Sequence, residues 1–369
     1  MQVEKRNFFK KFDGNLALVI FALNLIGLIN LYSATHGVVL DHTAKLFYQQ
    51  IFWLLGGWVL YFLVTLVDYK FFYRLAYFFY GLNLVALALV PFIGKTYYGA
   101  QRWLDLGFFR YQPSETMKII MIFVIARILS QKSSYNGLGF KDLLLPGVLT
   151  LIPFALTVKQ PDLGTALLIA STTLSLLIFV RLKRSILVTA CLIGIITLPA
   201  VWSFGLKDYQ KGRILTFLNR GRDPHGAGYN SIQSKIAVGS GQVLGKGFRK
   251  GTQSQLEFLP ERHTDFIYSV LSEEHGFIGS ITTFGLFVVL FFMCIRVATQ
   301  ARDKFGALIV VGIVSYLFWH MFINIGMVIG VMPIVGVPLP LLSYGGSSML
   351  TTMLGLGVIS SVAYRKYLF

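Results

Sequence analysis

The sequence is poor in charge and in cysteine, and both shortages narrow the kind of protein it encodes. Charged residues make up 13% of the chain, whereas soluble globular chains carry about 25%. The two cysteines, Cys191 and Cys294, both lie inside apolar runs, where they serve as apolar filler. Nothing in their number or spacing indicates a disulfide framework or a cysteine-ligated metal site. A disulfide-rich secreted scaffold and an ordinary soluble globule are therefore excluded.

What the sequence has in abundance is long apolar runs. Hydrophobic residues account for 55% of the chain, and the mean hydropathy is +0.66. A helix needs about 20 mostly apolar residues to cross the hydrocarbon core of a bilayer. Runs of this kind occupy residues 14–34, 46–67, 72–93, 113–131, 143–158, 163–181, 185–204, 276–296, 306–331 and 341–363. The sequence therefore predicts an all-α membrane protein with about ten transmembrane helices, organised as a single polytopic domain over residues 1–369.

The formal charge of +17 is distributed in a way that indicates a membrane protein and no nucleic-acid partner. If every run crosses the membrane, the loops of one side hold most of the Lys and Arg, including Lys70, Arg74 and Arg181. Cytoplasmic loops carry such an excess, so both termini are predicted to be cytoplasmic. The segment 205–264 is predicted to be one large loop on the outer side, and it is basic all the same. Long loops translocate largely regardless of charge, but an anionic ligand would also explain this one.

Polar residues near the predicted spans are candidates for substrate binding or support. Arg102 and Trp103 precede the fourth span, where a snorkelling Arg and an interfacial Trp are also ordinary membrane anchors. Glu115 and Lys118 stand three residues apart and can pair on one helix face. Such a pair can merely hold helices together, although charges at membrane depth are functional hypotheses by default. Asp162 opens the sixth span and is either a site residue or an acid favoured by the helix dipole.

The segment 205–264 contains the densest group of reactive side chains. Glycines flank Lys246, and such a stretch can let backbone N–H groups approach phosphate oxygens, although a flexible solvated loop would look the same. Four ionisable residues then fall within five positions at the mouth of a span: Glu261, Arg262, His263 and Asp265. Ser269 and Glu273 follow Asp265 at intervals of four, so a helix there would carry one polar face toward the bilayer.

The C-terminal part of the chain combines prolines and glycines beside the last span. The run from Gly336 to Ser348 is GVPLPLLSYGGSS. Non-helical backbone at membrane depth is tolerated only where it is buried in protein or lines a cavity. Ser343 in this run is therefore a further candidate for the site.

These features together resemble the SEDS family (shape, elongation, division and sporulation) over essentially the whole chain. The family's C-terminal pattern is present at its usual spacing in Asn324, Gly330, Pro333, Gly336 and the run 343–348. Within the family, the segments 228–237 and 251–265 look like the RodA branch. The division branch, FtsW, usually has a different residue where Arg262 stands.

The resemblance implies a peptidoglycan glycosyltransferase. It would polymerise lipid II, the undecaprenyl-pyrophosphate-linked disaccharide-peptide, at the outer face of the bacterial inner membrane during cell elongation. It would act beside a class B penicillin-binding protein and other proteins of the elongation complex. The family residues that map onto this chain are Trp103, Glu115, Lys118, Asp162 and Asp265. Of these, Asp265 is expected to be the essential catalytic residue.

Glycan polymerisation sets chemical requirements for such a site. A carboxylate must take the proton of the acceptor hydroxyl, and the transition state should be oxocarbenium-like. The departing pyrophosphate needs positive charge from Arg, Lys or a divalent cation. Mg²⁺ or Mn²⁺ would be held by few carboxylates together with the substrate phosphates. Asp265 is predicted as the base or as the metal ligand; the supporting candidates around it are Lys246, Glu261, Arg262 and His263.

Two other functions fit the same residues. A chain with many spans and intramembrane charges could be a flippase that moves lipid II outward, with Glu115, Lys118 and Asp162 lining a polar path. It lacks the repeat of broken segments that indicates a secondary transporter. A non-catalytic scaffold that recruits the cross-linking enzyme is the other alternative, although the concentration of charge on the outer side speaks against it. Polymer formation from purified lipid II in detergent separates the three functions.

Overall fold

Helices occupy the greater part of every predicted span. The structure is a computed structural model, and it describes residues 12–36, 44–97, 100–105, 107, 110–132, 137–205, 207–218, 227–256 and 258–366. The helices are α1 (Gly14–Thr35), α2 (Ala44–Leu66), α3 (Tyr69–Ile93), α4 (Pro113–Ser130), α5 (Phe140–Lys159), α6 (Leu163–Phe179), α7 (Arg184–Ala200), α8 (Asp208–Leu218), α9 (Ala227–Ser240), α10 (Thr252–Gln255), α11 (Ile267–Thr299), α12 (Lys304–Ile329) and α13 (Gly346–Arg365).

Seven helices among the described residues are long and apolar enough to cross a membrane: α1, α2, α3, α5, α11, α12 and α13. Of the other three predicted spans, α6 and α7 are each 17 residues long. Helix α4 has 18 residues but includes the charged Glu115, Lys118 and Arg127. The prediction of a polytopic helical membrane protein is therefore confirmed.

Helix α4 forms the centre of the bundle. It begins with Pro113 at its first position, where the missing N–H costs no intrahelical hydrogen bond. It packs against α3, α5, α6, α12 and α13, and almost all its residues are buried, Lys118 among them. The peripheral helices instead expose large apolar side chains such as Phe52, Phe92 and Leu144, as surfaces that face lipid must.

A small antiparallel sheet before α4 is the part of the fold that the all-α prediction missed. Its strands, in spatial order, are β1 (Lys95–Tyr97), β2 (Ala100–Asp105) and β3 (Arg110–Tyr111). Lys95 pairs with Trp103, and Leu104 pairs with Tyr111. Strands this short give no clear alternation of polar and apolar residues. Its middle strand, β2, packs against α3 and α4 and carries Arg102.

The described part of the predicted long loop 205–264 is mostly helical and packs onto the bundle. Its described part contains α8, α9 and α10, and α9 packs against α11 and α12. Ser234 of α9 donates to the carbonyl of Val328 over 2.8 Å, and its Oγ lies 2.8 Å from Ser269 Oγ. These buried contacts tie α9 to the helices of the bundle.

Helix α11 is broken at Gly276, which has a φ of 65° and a ψ of −159°. A Cβ at this position would lie 2.3 Å from the main-chain nitrogen of Gly245, so the close approach requires glycine. The main-chain N–H of Lys246 donates to the carbonyl of Glu273 over 3.0 Å, which satisfies an acceptor that the break leaves without an intrahelical partner. The glycine-rich stretch around Lys246 thus caps the C-terminal end of the short helical segment 267–275.

The run between α12 and α13 is non-helical, as its prolines and glycines predicted. Gly330 ends α12 in the left-handed conformation, with a φ of 73°. The run then packs against the segment that precedes α11, where the main-chain N–H of Tyr344 donates to the carbonyl of His263 over 3.0 Å. The two segments that carried the family resemblance therefore lie side by side.

Candidate active site

Asp265 lies in the turn that leads into α11, where three parts of the chain meet. Its main-chain carbonyl accepts a hydrogen bond of 2.8 Å from Asn324 Nδ2 of α12. Gly336 of the non-helical run lies so near that a Cβ on it would be 3.2 Å from Asp265 Oδ2. The residue is closely surrounded by protein but keeps partial exposure to solvent. The backbone of Asp265 is thus tied to α12, and the residue keeps an open side toward solvent.

The electrostatic surroundings of Asp265 bring the pKa of its carboxyl group close to neutral pH. Burial raises its pKa to about 7, and the charge of Glu261 contributes in the same direction. The guanidinium groups of Arg213 and Arg102 lower the pKa, whereas the carboxylate of Asp162 raises it. A carboxyl group with a pKa near the working pH is well matched to general acid–base catalysis.

Arg102 connects the small sheet to the start of α6. Its Nη1 lies 3.8 Å from Asp162 Oδ2, and its Nη2 donates to the carbonyl of Pro161. Asp162 also caps α6, because its Oδ1 accepts from Thr165 N over 3.2 Å. Asp162 thus stands at the N-terminus of α6, where the helix dipole favours an acid, and the same carboxylate also contributes to the field around Asp265. Trp103, beside Arg102 in β2, is partly buried.

Arg213 of α8 is a residue near Asp265 that no sequence motif singled out. Its Nη1 donates to the carbonyl of Val335 over 3.2 Å, immediately before Gly336. Its positive charge lowers the pKa of Asp265. The basic character of the segment 205–264 was the only sequence signal for it, and that signal does not distinguish one arginine from its neighbours.

The predicted Glu115–Lys118 pair is present and buried in the bundle. Lys118 Nζ donates to Glu115 Oε1 over 2.8 Å, and it lies 2.8 Å from His320 Nε2 of α12. The histidine was not predicted because it lies 202 residues further along the chain. Asp162 lies outside this group, and its ion-pair partner among the described residues is Arg102.

Lys246 and Arg262 make contacts that hold the outer segment in place. Lys246 Nζ donates to Glu273 Oε1 over 2.7 Å and to Thr252 Oγ1 over 2.8 Å. Arg262 is buried, and its Nε donates to the carbonyl of Ala34 over 2.8 Å. These two side chains therefore join the segment to α11 and α1.

Glu261, His263 and Ser343 lie around the turn that carries Asp265. His263 Nε2 is 3.8 Å from Glu261 Oε2, and burial lowers the pKa of His263, with the charge of Glu261 acting in the opposite direction. Ser343 Oγ donates to the carbonyl of Thr264 over 2.7 Å. Ser343 thus fixes the C-terminal run directly beside the catalytic candidate.

The described part of the chain contains no cluster of three His, Cys, Asp or Glu side chains that would form a metal cage. The acids whose charges act on Asp265 are Glu261 and Asp162. Any divalent cation bound there would need further oxygen ligands from a substrate or from water. Cys294 is buried and free, in agreement with its prediction as filler; the side chain of Cys191 lies outside what the structure describes.

The arrangement places fixed positive charge beside a carboxyl group that can accept a proton. Arg102 reaches the site from the small sheet, and Arg213 reaches it from α8. Guanidinium groups bind phosphate and pyrophosphate oxygens through a planar fork of donors. The site is therefore suited to a reaction in which a hydroxyl group is deprotonated while a negatively charged group departs.

Known proteins resemble the chain over nearly its whole length. A family model for FtsW, RodA and SpoVE, described as "Cell cycle protein", matches residues 14–368. The peptidoglycan glycosyltransferase MrdB of Escherichia coli is 38% identical over 367 residues, which cover 99% of this chain and 97% of that protein. A chain from a peptidoglycan synthase complex that coordinates polymerization and crosslinking superposes with a TM-score of 0.82 and 31% identity, over 97% of this chain and 99% of the other. The rod shape determining protein RodA of Thermus thermophilus gives a TM-score of 0.70 with 28% identity, over 96% and 98% of the two chains.

Proposed function

The chain belongs to the FtsW, RodA and SpoVE family of cell cycle proteins, and we propose that this peptidoglycan glycosyltransferase polymerises lipid II into glycan strands during cell elongation. The substrate would be taken at the outer face of the bacterial inner membrane. The observation that carries the proposal is the setting of Asp265, a partly exposed carboxyl group with a pKa of about 7. Two arginines contribute positive charge to that setting.

In the proposed reaction, Asp265 acts as the general base. It takes the proton from the acceptor sugar hydroxyl as the hydroxyl oxygen attacks the anomeric carbon of the donor. The new glycosidic bond forms as the bond to the lipid pyrophosphate breaks, and the pyrophosphate departs with the bonding electrons. A single displacement converts the α-linked donor into a β-linked product, so no covalent glycosyl-enzyme is needed.

Arg102 and Arg213 supply positive charge for the departing pyrophosphate. Fixed charge that is already oriented stabilises a developing anion without reorganisation at the moment of reaction. Both guanidinium groups are held by main-chain carbonyls, Arg102 by that of Pro161 and Arg213 by that of Val335. These bonds leave other N–H donors of each group to face a ligand.

A divalent cation, Mg²⁺ or Mn²⁺, is also part of the proposal. Mg²⁺ usually takes one or two carboxylates and completes its shell with water and substrate phosphates. The acidic neighbours of Asp265, Glu261 among them, fit that limited role while Asp265 takes the proton; a cation bound by Asp265 itself would replace its role as the base. In either case the cation would supply further positive charge to the pyrophosphate. Loss of polymer after chelation, with recovery on adding Mg²⁺ or Mn²⁺, would support it; unchanged synthesis in chelator would contradict it.

We further propose a class B penicillin-binding protein and other elongation-complex proteins as partners, and a cytoplasmic position for both termini. The structural relative from a peptidoglycan synthase complex supports the partnership. The charge distribution along the sequence supports the orientation. Co-purification tests the partnership, and reporter fusions at Lys183 and Lys207 test the orientation, since they should report opposite sides of the membrane.

The activity itself is tested with the purified protein and lipid II in detergent. Without a membrane there is nothing to flip lipid II across, so a glycan ladder on a gel identifies a polymerase. A wild-type chain that yields no polymer, with or without its penicillin-binding protein, would contradict the proposal.

A further inference from the structure

Two side chains one turn apart on α12 hold the non-helical run that lies against Asp265. His320 and Asn324 are four residues apart and therefore share one face of the helix. His320 Nδ1 lies 3.2 Å from the carbonyl oxygen of Pro338. Asn324 Nδ2 donates to the carbonyl of Val337 over 2.7 Å. Consecutive carbonyls of the run are thus bound by consecutive turns of a single buried helix.

The carbonyls of Val337 and Pro338 depend on these side-chain donors because they lie before the one turn of the run, in which Ser343 N donates to the carbonyl of Leu339 over 3.0 Å. Backbone carbonyls that are buried at membrane depth must find partners, since each unsatisfied group costs several kcal/mol. The position of the run also matters for Asp265, because Gly336 lies against its Oδ2. A shift of the backbone at Pro338 would therefore change the packing around the catalytic carboxyl group.

The protonation of His320 follows from its other neighbour. Lys118 Nζ, which lies 2.8 Å from His320 Nε2, is an ammonium group with donors only. His320 Nε2 must therefore be the acceptor, and the ring proton sits on Nδ1, facing Pro338. The ammonium group selects this tautomer, as the hydrogen bond at one ring nitrogen sets the state of the other.

We infer that His320 is a positioning residue for glycosyl transfer. The buried Lys118 ammonium group orients the ring of His320, and the ring in turn holds the backbone beside Asp265. The inference rests on the proposed role of Asp265 as the base. It also gives the Glu115–Lys118 pair a task beyond joining helices: Glu115 balances the charge of Lys118, and Lys118 fixes the ring that holds Pro338.

Three substitutions separate the two contacts of the ring. His320→Asn places an amide donor near the position of Nδ1 and so retains the bond to Pro338. His320→Gln places an amide acceptor near the position of Nε2 and so retains the contact with Lys118. His320→Phe keeps the ring volume and removes both. Misplacement of a reacting group by about 1 Å can cost about 100-fold in rate, so His320→Phe should lose about 10- to 100-fold in kcat.

The expected result is that His320→Asn makes polymer faster than His320→Gln, while KM for lipid II stays near that of the wild type in both. Equal rates, or a faster His320→Gln, would overturn the inference. If the only task of the ring were to accept from Lys118, Gln would be its best replacement. Wild-type kcat in His320→Phe would also overturn it. If His320→Phe does not fold, the Asn and Gln variants decide the matter, since each retains one polar contact.

Two controls complete the experiment. His36, whose ring contacts the main chain at the end of α1, offers a matched histidine, and His36→Phe should keep wild-type kcat. Asp265→Asn is measured alongside as the test of the proposed function. An inactive Asp265→Asn beside identical rates for the His320 variants would overturn the positioning role alone. Normal polymer from Asp265→Asn would instead overturn the role of Asp265 as the base, on which the inference rests.

Discussion

The side-chain amide of Asn324 donates to the main-chain carbonyl of Asp265 over 2.8 Å, and the same nitrogen donates to the carbonyl of Val337 over 2.7 Å. One nitrogen thereby joins the turn of the catalytic candidate to the C-terminal run. Both acceptors belong to segments without regular secondary structure. Asn324 therefore fixes the spacing of the two segments from the α12 side, while Ser343 and Tyr344 join them directly.

Replacing Asn324 with Leu should therefore lower both stability and activity. Each carbonyl that is left unpaired costs about 1–3 kcal/mol, which a thermal shift in detergent would detect. The matched control is Asn24→Leu. Asn24 is equally buried, and its amide makes no hydrogen bond within the part of the chain that the structure describes. Equal losses of activity in the two variants would contradict the assignment.

The buried ion pair gives a second prediction. Lys118→Met should destabilise the protein by about 3–5 kcal/mol, because it leaves the Glu115 carboxylate buried without a partner. The double variant Glu115→Gln with Lys118→Met should recover folding, but its activity should stay low because Met donates nothing to His320. Thermal stability and polymer yield are measured together.

An exposed ion pair serves as the control for that experiment. Lys132 pairs with Asp142 where both side chains are about a third exposed, and such solvent-exposed pairs contribute little to stability. Lys132→Met should therefore change neither stability nor polymer yield appreciably. A double variant of the buried pair with full activity would show that the pair only joins helices.

The pH dependence of polymer formation follows from the pKa of Asp265. The base must be ionised, and its pKa is about 7, so the rate should fall as the pH is lowered through 7. Arg213 lowers this pKa, and Arg213→Ala should therefore move the acidic limb of the profile to higher pH. Arg213→Lys retains the charge and should leave the limb near its wild-type position. An unshifted limb in Arg213→Ala would argue against the proposed electrostatic role.

Lys246 was predicted from its flanking glycines to lie in a phosphate-binding stretch, and the structure gives it another task. Its ammonium group pairs with Glu273, which is fully buried. Lys246→Ala should lower stability by about 1–3 kcal/mol while leaving KM for lipid II unchanged in the folded fraction. A large rise in KM without loss of stability would restore the phosphate-binding interpretation.

The sequence was sufficient for those features that depend on local composition. Apolar runs located the helices, and the spacing of Glu115 and Lys118 predicted their pairing. The non-helical run followed from its prolines and glycines. The sequence could not predict contacts between distant segments, such as His320 beside Lys118 and Arg213 beside Asp265. A histidine or arginine in isolation carries no local signal of its partner.

The central claim is that Asp265 is the base, and the Asp265→Asn variant tests it most directly. Asn retains the size and one oxygen of the side chain but cannot accept the proton. Helix α11 begins after Phe266 without a side-chain cap, so no lost helix cap would explain a defect. The measurement is glycan synthesis from labelled lipid II by the purified protein with its penicillin-binding protein, read on a gel. If Asp265 is the base, the variant should remain folded and lose about 10²–10⁴-fold in rate, as for removal of a positioned base; near-normal glycan from Asp265→Asn would contradict this role.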